Sequence, residues 1–126
     1  EFVICDKTRE KANEVKSVEV IGEVKDKDVI IVDDLIDTGG TIAMASNVIM
    51  DKGAKSVRAI ITHPVLSGNA EENLENSSLI ELVVTDSIPL NIRNKKIKVL
   101  SIAGLFAKAI RKIHENESTS SLFINR

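Results

Sequence analysis

The stretch Val29-Ile30-Ile31-Val32 is apolar at every position, and it runs straight into Asp33-Asp34-Leu35-Ile36-Asp37-Thr38-Gly39-Gly40-Thr41. A strand with no polar face needs cover on both sides, which is the condition of a strand inside a parallel sheet wrapped by helices. The residues after Thr41 fit that condition. Ile42, Ala45, Val48 and Ile49 recur at helical spacing, with Thr41 as the expected N-cap and Gly53 as the expected stop. The unit reads as strand, acidic and glycine-rich loop, helix.

The rest of the chain repeats the alternation. Residues 2–5 (FVIC) read as a buried strand that contains Cys5, and 18–24 (VEVIGEV) as a strand or bulge broken by Gly22. Between them, residues 6–17 are charged and without period, an exposed loop expected to be the least ordered internal segment. Strands are expected at 56–62, 79–86 and 97–101, and a short helix at 70–77. The last helix, 102–116, carries Ile102, Leu105, Phe106, Ala109, Ile110 and Ile113 on one face, expected to be core. Strand and helix in turn predict one α/β domain over residues 1–126, a parallel twisted sheet flanked by helices. In such sheets ligands collect beyond the C-terminal ends of the strands, where the acidic and glycine-rich loop sits.

Bulk properties exclude several classes. With 126 residues, 43% apolar and 29% charged, the chain suits one globular domain. A net charge of −2 and 2% aromatics, with no Trp or Tyr, offer neither the field nor the stacking surfaces of a nucleic-acid binder. No apolar run nears the length of a membrane span. Cys5 is the single cysteine, so a reducing compartment, the cytoplasm, is expected. The chain opens on Glu1 rather than Met, which reads as a fragment or a processed chain.

The loop carries the chemistry. Gly39 and Gly40 allow backbone angles closed to other residues, and the first amides of the helix behind them have no partners within it. A phosphate there gains charged-acceptor hydrogen bonds of about 1.5–3 kcal/mol each, plus about 0.3–1 kcal/mol from the helix dipole. The hydroxyls of Thr38 and Thr41 can donate as well. Asp33, Asp34 and Asp37 would repel that dianion unless they faced another part of the same ligand. A sugar phosphate resolves the conflict, because its vicinal hydroxyls donate to carboxylates while its other end is anionic. The loop therefore reads as a ribose 5-phosphate cradle. It is no P-loop, since the Gly-Lys-Ser/Thr ending is absent. An ordinary Asp/Gly turn is the plain alternative.

VIIVDDLIDTGGT resembles the phosphoribosyl-pyrophosphate (PRPP) binding motif of type I phosphoribosyltransferases. DKTR (6–9), THPVLSG (62–68) and HENESTSSLF (114–123) further resemble ribose-phosphate pyrophosphokinases, the PRPP synthetases. That resemblance covers nearly the whole chain and implies the C-terminal, ribose 5-phosphate-binding half of a two-domain enzyme. It implies transfer of the β,γ-diphosphoryl group of ATP to the anomeric hydroxyl of ribose 5-phosphate, with Mg2+, and a homo-oligomer of dimers assembled into hexamers. It places Lys7 and Arg9 on the family's catalytic loop, and Asp33, Asp37, Thr38, Gly39, Gly40 and Thr41 on its sugar-phosphate site. Ser118 and Ser120 match a tail that binds regulatory phosphate or ADP. The metal ligands and adenine pocket are expected outside this chain, which should be inactive alone.

Thr8 stands where the family often has arginine, and Gly39 where many members have alanine. His63 reads as a loop residue on the ligand side and His114 as a helix-end cation, with no spacing for a zinc site. Competing readings are a PRPP-dependent nucleobase phosphoribosyltransferase and a non-catalytic PRPP-synthetase-associated regulatory subunit. The first leaves DKTR, THPVLSG and the tail unexplained, and retention of Lys7 and Arg9 argues against the second. A phosphoacceptor receiver domain would need an acceptor aspartate after a later strand, and AIITHP has none.

Overall fold

The computed structural model describes residues 3–11 and 14–123, and the side chains of residues 3–5 and 18–123. β1 (Ile4–Lys11) and β2 (Glu14–Ile21) form an antiparallel pair. β3 (Asp28–Ile36), β4 (Ser56–Pro64), β5 (Leu79–Thr85) and β6 (Ile97–Leu100) form a parallel sheet in that order. Three α-helices, α1 (Gly40–Asp51), α2 (Ala70–Glu75) and α3 (Ala103–His114), connect or follow these strands, and a 3-10 turn spans Ser120–Leu122. Among the described residues β3 is an edge strand.

The core lies between the sheet and the helices α1 and α2. Val57, Ala59 and Ile61 of β4 and Leu82 and Val84 of β5 point to one face, as the period of two requires, and Leu79 joins them across a register irregularity between Leu79 and Glu81. They meet Ile42 and Ile49 of α1 and Leu74 of α2. α1 stays in place because its buried positions, Ile42, Ala45, Ser46 and Ile49, fall one helical turn apart. It stops at a left-handed Gly53 (φ 89°), as expected. The Gly53 N–H donates to Met50 O at 2.9 Å and the Ala54 N–H to Ile49 O at 3.3 Å, the paired bonds of a Schellman motif. At its start Thr41 is not the cap: the helix begins at Gly40, and Gly39 occupies the N-cap with no side-chain bond.

Three expectations are corrected. The expected loop at 6–17 takes part in β1 and β2, whose register begins Ile4↔Ile21 and Cys5↔Val20 and continues through charged residues. A ladder is made by backbone groups, so it can extend where side-chain pattern gives no sign of it. Residues 12–13 and the side chains of 6–17 lie outside the described residues, as does the expectation about order there. Cys5 is half-buried against the core rather than enclosed. Second, β3 is covered on one face only, with Ile30 56% and Val32 75% exposed among the described residues. Third, α3 buries none of its residues, and Leu105, Phe106, Ile110 and Ile113 face outward. An apolar stripe drives packing only where a complementary surface is present, and none of the described elements supplies one.

Polar groups fasten the connections. The Lys96 ammonium donates to the carbonyls of Leu74 (2.7 Å), Ser77 (2.8 Å) and Glu75 (3.2 Å), closing the C-terminal end of α2. Burial pushes this ammonium below the usual lysine range, Lys95 adds to the effect, and Glu75 opposes it. Asn47 on α1 accepts from the Ser78 N–H (2.8 Å) and hydroxyl (2.7 Å), which sets β5 against the helix behind the acidic loop.

Candidate functional site

Parallel pairing carries β3 further than its apolar run. Asp33 sits opposite Ile61, Leu35 opposite His63 and Ile36 opposite Pro64, so Asp33 and Asp34 belong to the strand rather than to the loop. Strand alternation then separates them. Half-buried Asp33 shares the face of Val29 and Ile31, toward α1, whereas Asp34 is exposed on the open face with Ile30 and Val32. An Asp33 carboxylate oxygen accepts the Asp34 N–H at 3.0 Å. The three expected carboxylates are thus not gathered on one side. Asp37 alone stands in the loop, exposed, immediately before Thr38.

Thr38 to Thr41 make the turn from β3 into α1. Gly39 is buried and left-handed, with φ 74° and ψ −6°. Residues with a Cβ avoid that region at a cost of about 1–2 kcal/mol, a cost that glycine does not carry. A left-handed residue just ahead of a helix turns successive amides to one side, the concavity that binds anions elsewhere. Among the described residues the N–H groups of Thr38 and Gly39 have no protein partner, and the Gly39 carbonyl accepts the Ala43 N–H at 2.9 Å. Gly40, Thr41 and Ile42 add the free amides of the first turn of α1, a helix of 12 residues. The loop is thus an amide cradle at the C-terminal end of the sheet, with a hydroxyl residue on each side of its glycines.

The segment between β4 and β5 supports this turn from behind. Ile36 O accepts the N–H groups of Val65 (3.0 Å) and Leu66 (3.2 Å), and Asp37 O accepts the Ser67 N–H at 3.2 Å. The Ser67 hydroxyl donates to the Asp37 carboxylate. Asn73 of α2 donates its side-chain N–H to Thr38 O at 2.7 Å. Sequence reasoning gave no role to Ser67, although it lies within THPVLSG, nor to Asn73. They lie 30 and 35 residues from their partners, and no spacing rule links them.

Other expected residues fall elsewhere. Lys7 and Arg9 stand on β1 opposite Val18 and Val15, with a register irregularity between Thr8 and Arg9; their side chains are outside the described set. His63 is exposed, and its Nδ1 lies 2.9 Å from the Ser87 hydroxyl, which donates to Thr62 O at 3.0 Å. His114 closes α3 beside Arg111 and Lys112, where cations suit the helix dipole. The Ser118 and Ser120 hydroxyls bond each other at 2.9 Å on an exposed tail. A groove of about 530 Å³ runs along the free edge of β3 and reaches Asp33 and Thr41, but most of its lining is apolar. Among the described residues no group of three or more His, Cys, Asp or Glu is gathered to hold a metal ion. No helix among them is long and apolar enough to cross a membrane.

Comparison with known proteins gives the family and the fold. Residues 5–124 match the family described as phosphoribosyl synthetase-associated domain. A ribose-phosphate pyrophosphokinase from Campylobacter jejuni is 56% identical over 124 residues, covering 98% of this chain and 40% of the relative. One from Helicobacter pylori strain J99 is 53% identical over 123 residues, covering 98% and 39%. The crystal structure of phosphoribosylpyrophosphate synthetase from Mycobacterium smegmatis superposes with a TM-score of 0.76 at 44% identity, over 82% of this chain and 35% of that one. The α/β fold is therefore of the phosphoribosyltransferase type. The chain spans about 40% of the length of the curated relatives it matches, less than the half that the resemblance implied, and the matched share does not make it their C-terminal half.

Proposed function

The chain belongs to the phosphoribosyl synthetase-associated domain family, and from that premise we propose that it supplies the ribose 5-phosphate site of a ribose-phosphate diphosphokinase. The observation that carries this reading is the cradle at Thr38–Thr41, with exposed Asp37 immediately before it and Asp33 at the adjoining strand end. The free amides take the 5-phosphate, and the threonine hydroxyls add donors. Asp37 and Asp33 accept from the ribose hydroxyls, so the sugar is held at both ends with its anomeric carbon directed outward. Asp34, on the opposite face, contributes charge beyond the sugar rather than a shared contact.

In the proposed reaction the anomeric oxygen bonds to the β-phosphorus of ATP, the bond from that phosphorus to the α-phosphate oxygen breaks, and AMP leaves. The hydroxyl proton is released as PRPP forms. Lys7 and Arg9 meet the charge that builds on the phosphoryl oxygens and on departing AMP. ATP is the co-substrate, and its adenine site lies outside this chain. Magnesium accompanies ATP in this family, and the described residues gather no ligand set of three or more His, Cys, Asp or Glu for it. The same proposal includes regulatory anion contacts at Ser118 and Ser120, a homo-oligomer from dimer to hexamer, a cytoplasmic location and inactivity of this chain alone.

Asp37→Asn tests the reading. In the full-length protein this change keeps size and removes the charged acceptor, so ribose 5-phosphate should bind about 10- to 100-fold more weakly by titration calorimetry. ATP affinity should stay within about twofold. Unchanged sugar-phosphate binding would remove Asp37 from the site. Tight binding of PRPP with no ATP-dependent synthesis would point instead to a phosphoribosyltransferase.

A further inference from the structure

The peptide unit is planar and trans, so a carbonyl held on one side directs the next N–H to the other side. Behind the cradle, Asp37 O is held by the Ser67 N–H at 3.2 Å and Thr38 O by the Asn73 side chain at 2.7 Å. The N–H groups of Thr38 and Gly39 are therefore turned away from the β4–α2 segment, toward the open side where an anion would sit. Asn73 is also the wall behind both glycines. A Cβ built on Gly39 would stand 3.8 Å from Asn73 Cβ, and one on Gly40 would stand 3.7 Å from Asn73 Nδ2. Asn73 is itself fixed, half-buried on α2 between turns anchored by fully buried Ala70 and Leu74. Ser67 sets the other end, since its hydroxyl donates to Asp37 while its N–H holds the Asp37 carbonyl.

We propose that Asn73 and Ser67 are positioning residues of the sugar-phosphate site: Asn73 orients the amides that bind the phosphate, and Ser67 orients the carboxylate that binds the ribose. Neither touches the reacting atoms. The proposal rests on the ribose 5-phosphate reading and adds to it a support that comes from a different element. The phosphate end of the substrate is remote from the anomeric hydroxyl. Loosening its cradle therefore weakens ground state and transition state alike, raising KM with little change in kcat.

The test uses the full-length protein with Asn73→Asp, which keeps shape but sets an acceptor against Thr38 O, and Asn73→Ala as a second variant should the first fold poorly. Ribose 5-phosphate affinity is expected to fall about tenfold in either variant, with KM rising in parallel, while ATP affinity and kcat stay within about twofold. Asn73→Gln, which retains a donor, should recover part of the loss. Wild-type affinity in both Asp and Ala variants overturns the proposal. Equal loss of ribose 5-phosphate and ATP binding, with a lowered Tm, also overturns it by making Asn73 merely structural. If the wild-type protein itself does not bind ribose 5-phosphate, the functional reading fails, a result distinct from the other two.

Discussion

Lys7→Ala in the full-length protein is expected to lower kcat about 10³-fold or more, with the Kd values for ribose 5-phosphate and ATP changed by less than about fivefold. The asymmetry follows from when the charge appears. Ground-state ATP already has its phosphates solvated and neutralised, so a distant ammonium adds little to binding. As the bond to AMP breaks, negative charge shifts to the leaving oxygen and the transferred phosphoryl oxygens, and a cation placed there is worth several kcal/mol. Lys7 lies on a hairpin strand rather than in the parallel sheet, opposite Val18, so truncating it should leave the core untouched. Single-turnover and equilibrium binding measurements separate the two effects. An equal loss of turnover and affinity, or no loss, would refute the role.

The second large effect is expected at Gly39. Gly39→Val should weaken ribose 5-phosphate binding about 10²-fold or more and lower Tm by several degrees. A Cβ added at Gly39 stands 3.7 Å from Ile36 Cδ1 and 3.8 Å from Ala70 O, ordinary contacts, so crowding at the first side-chain carbon is not the cause. The cause is φ 74°, which a β-branched residue avoids. To relieve it the peptide must rotate, and two amides then leave the cradle. Each charged-acceptor bond lost costs about 1.5–3 kcal/mol. Gly39→Ala, with the smaller penalty of about 1–2 kcal/mol, should fall between wild type and valine. Binding by Gly39→Val at wild-type strength would mean that the phosphate sits elsewhere.

How much of the fold and site is legible in the sequence depends on distance along the chain. The β3–α1 unit can be read because its signals are adjacent: an apolar run, a glycine pair and a helical period within residues 29–53. The parallel pairing of β3, β4 and β5 follows from alternation of strand and helix, whereas β6 joins the sheet after a loop that carries no helix. The hairpin cannot be read, because charged residues 6–17 show no period and their pairing is made by backbone groups. The division of the acidic run is also hidden. Only pairing with β4 extends β3 through Ile36, and that extension sends Asp33 and Asp34 to opposite faces. Ser67 and Asn73 escape notice for the same reason, since each meets its partner only after the chain has crossed to α1, β4 and back. The open face of β3 and the uncovered stripe of α3 depart from the expected two-sided burial, because burial depends on neighbours that a strand's own sequence does not name.

The central claim is that the amides of Thr38 to Thr41 hold the phosphate of a pentose phosphate while Asp37 and Asp33 hold its sugar edge. Backbone amide NMR of the full-length protein, titrated separately with ribose 5-phosphate, inorganic phosphate and ribose, tests it most directly. Ribose 5-phosphate should shift the amides of Thr38, Gly39, Gly40 and Thr41 strongly, and saturate at concentrations far below those needed for either part alone. Inorganic phosphate should move the same four amides weakly, leaving Asp33 unmoved. Saturable shifts centred on another segment, with residues 37–41 silent, would contradict the account.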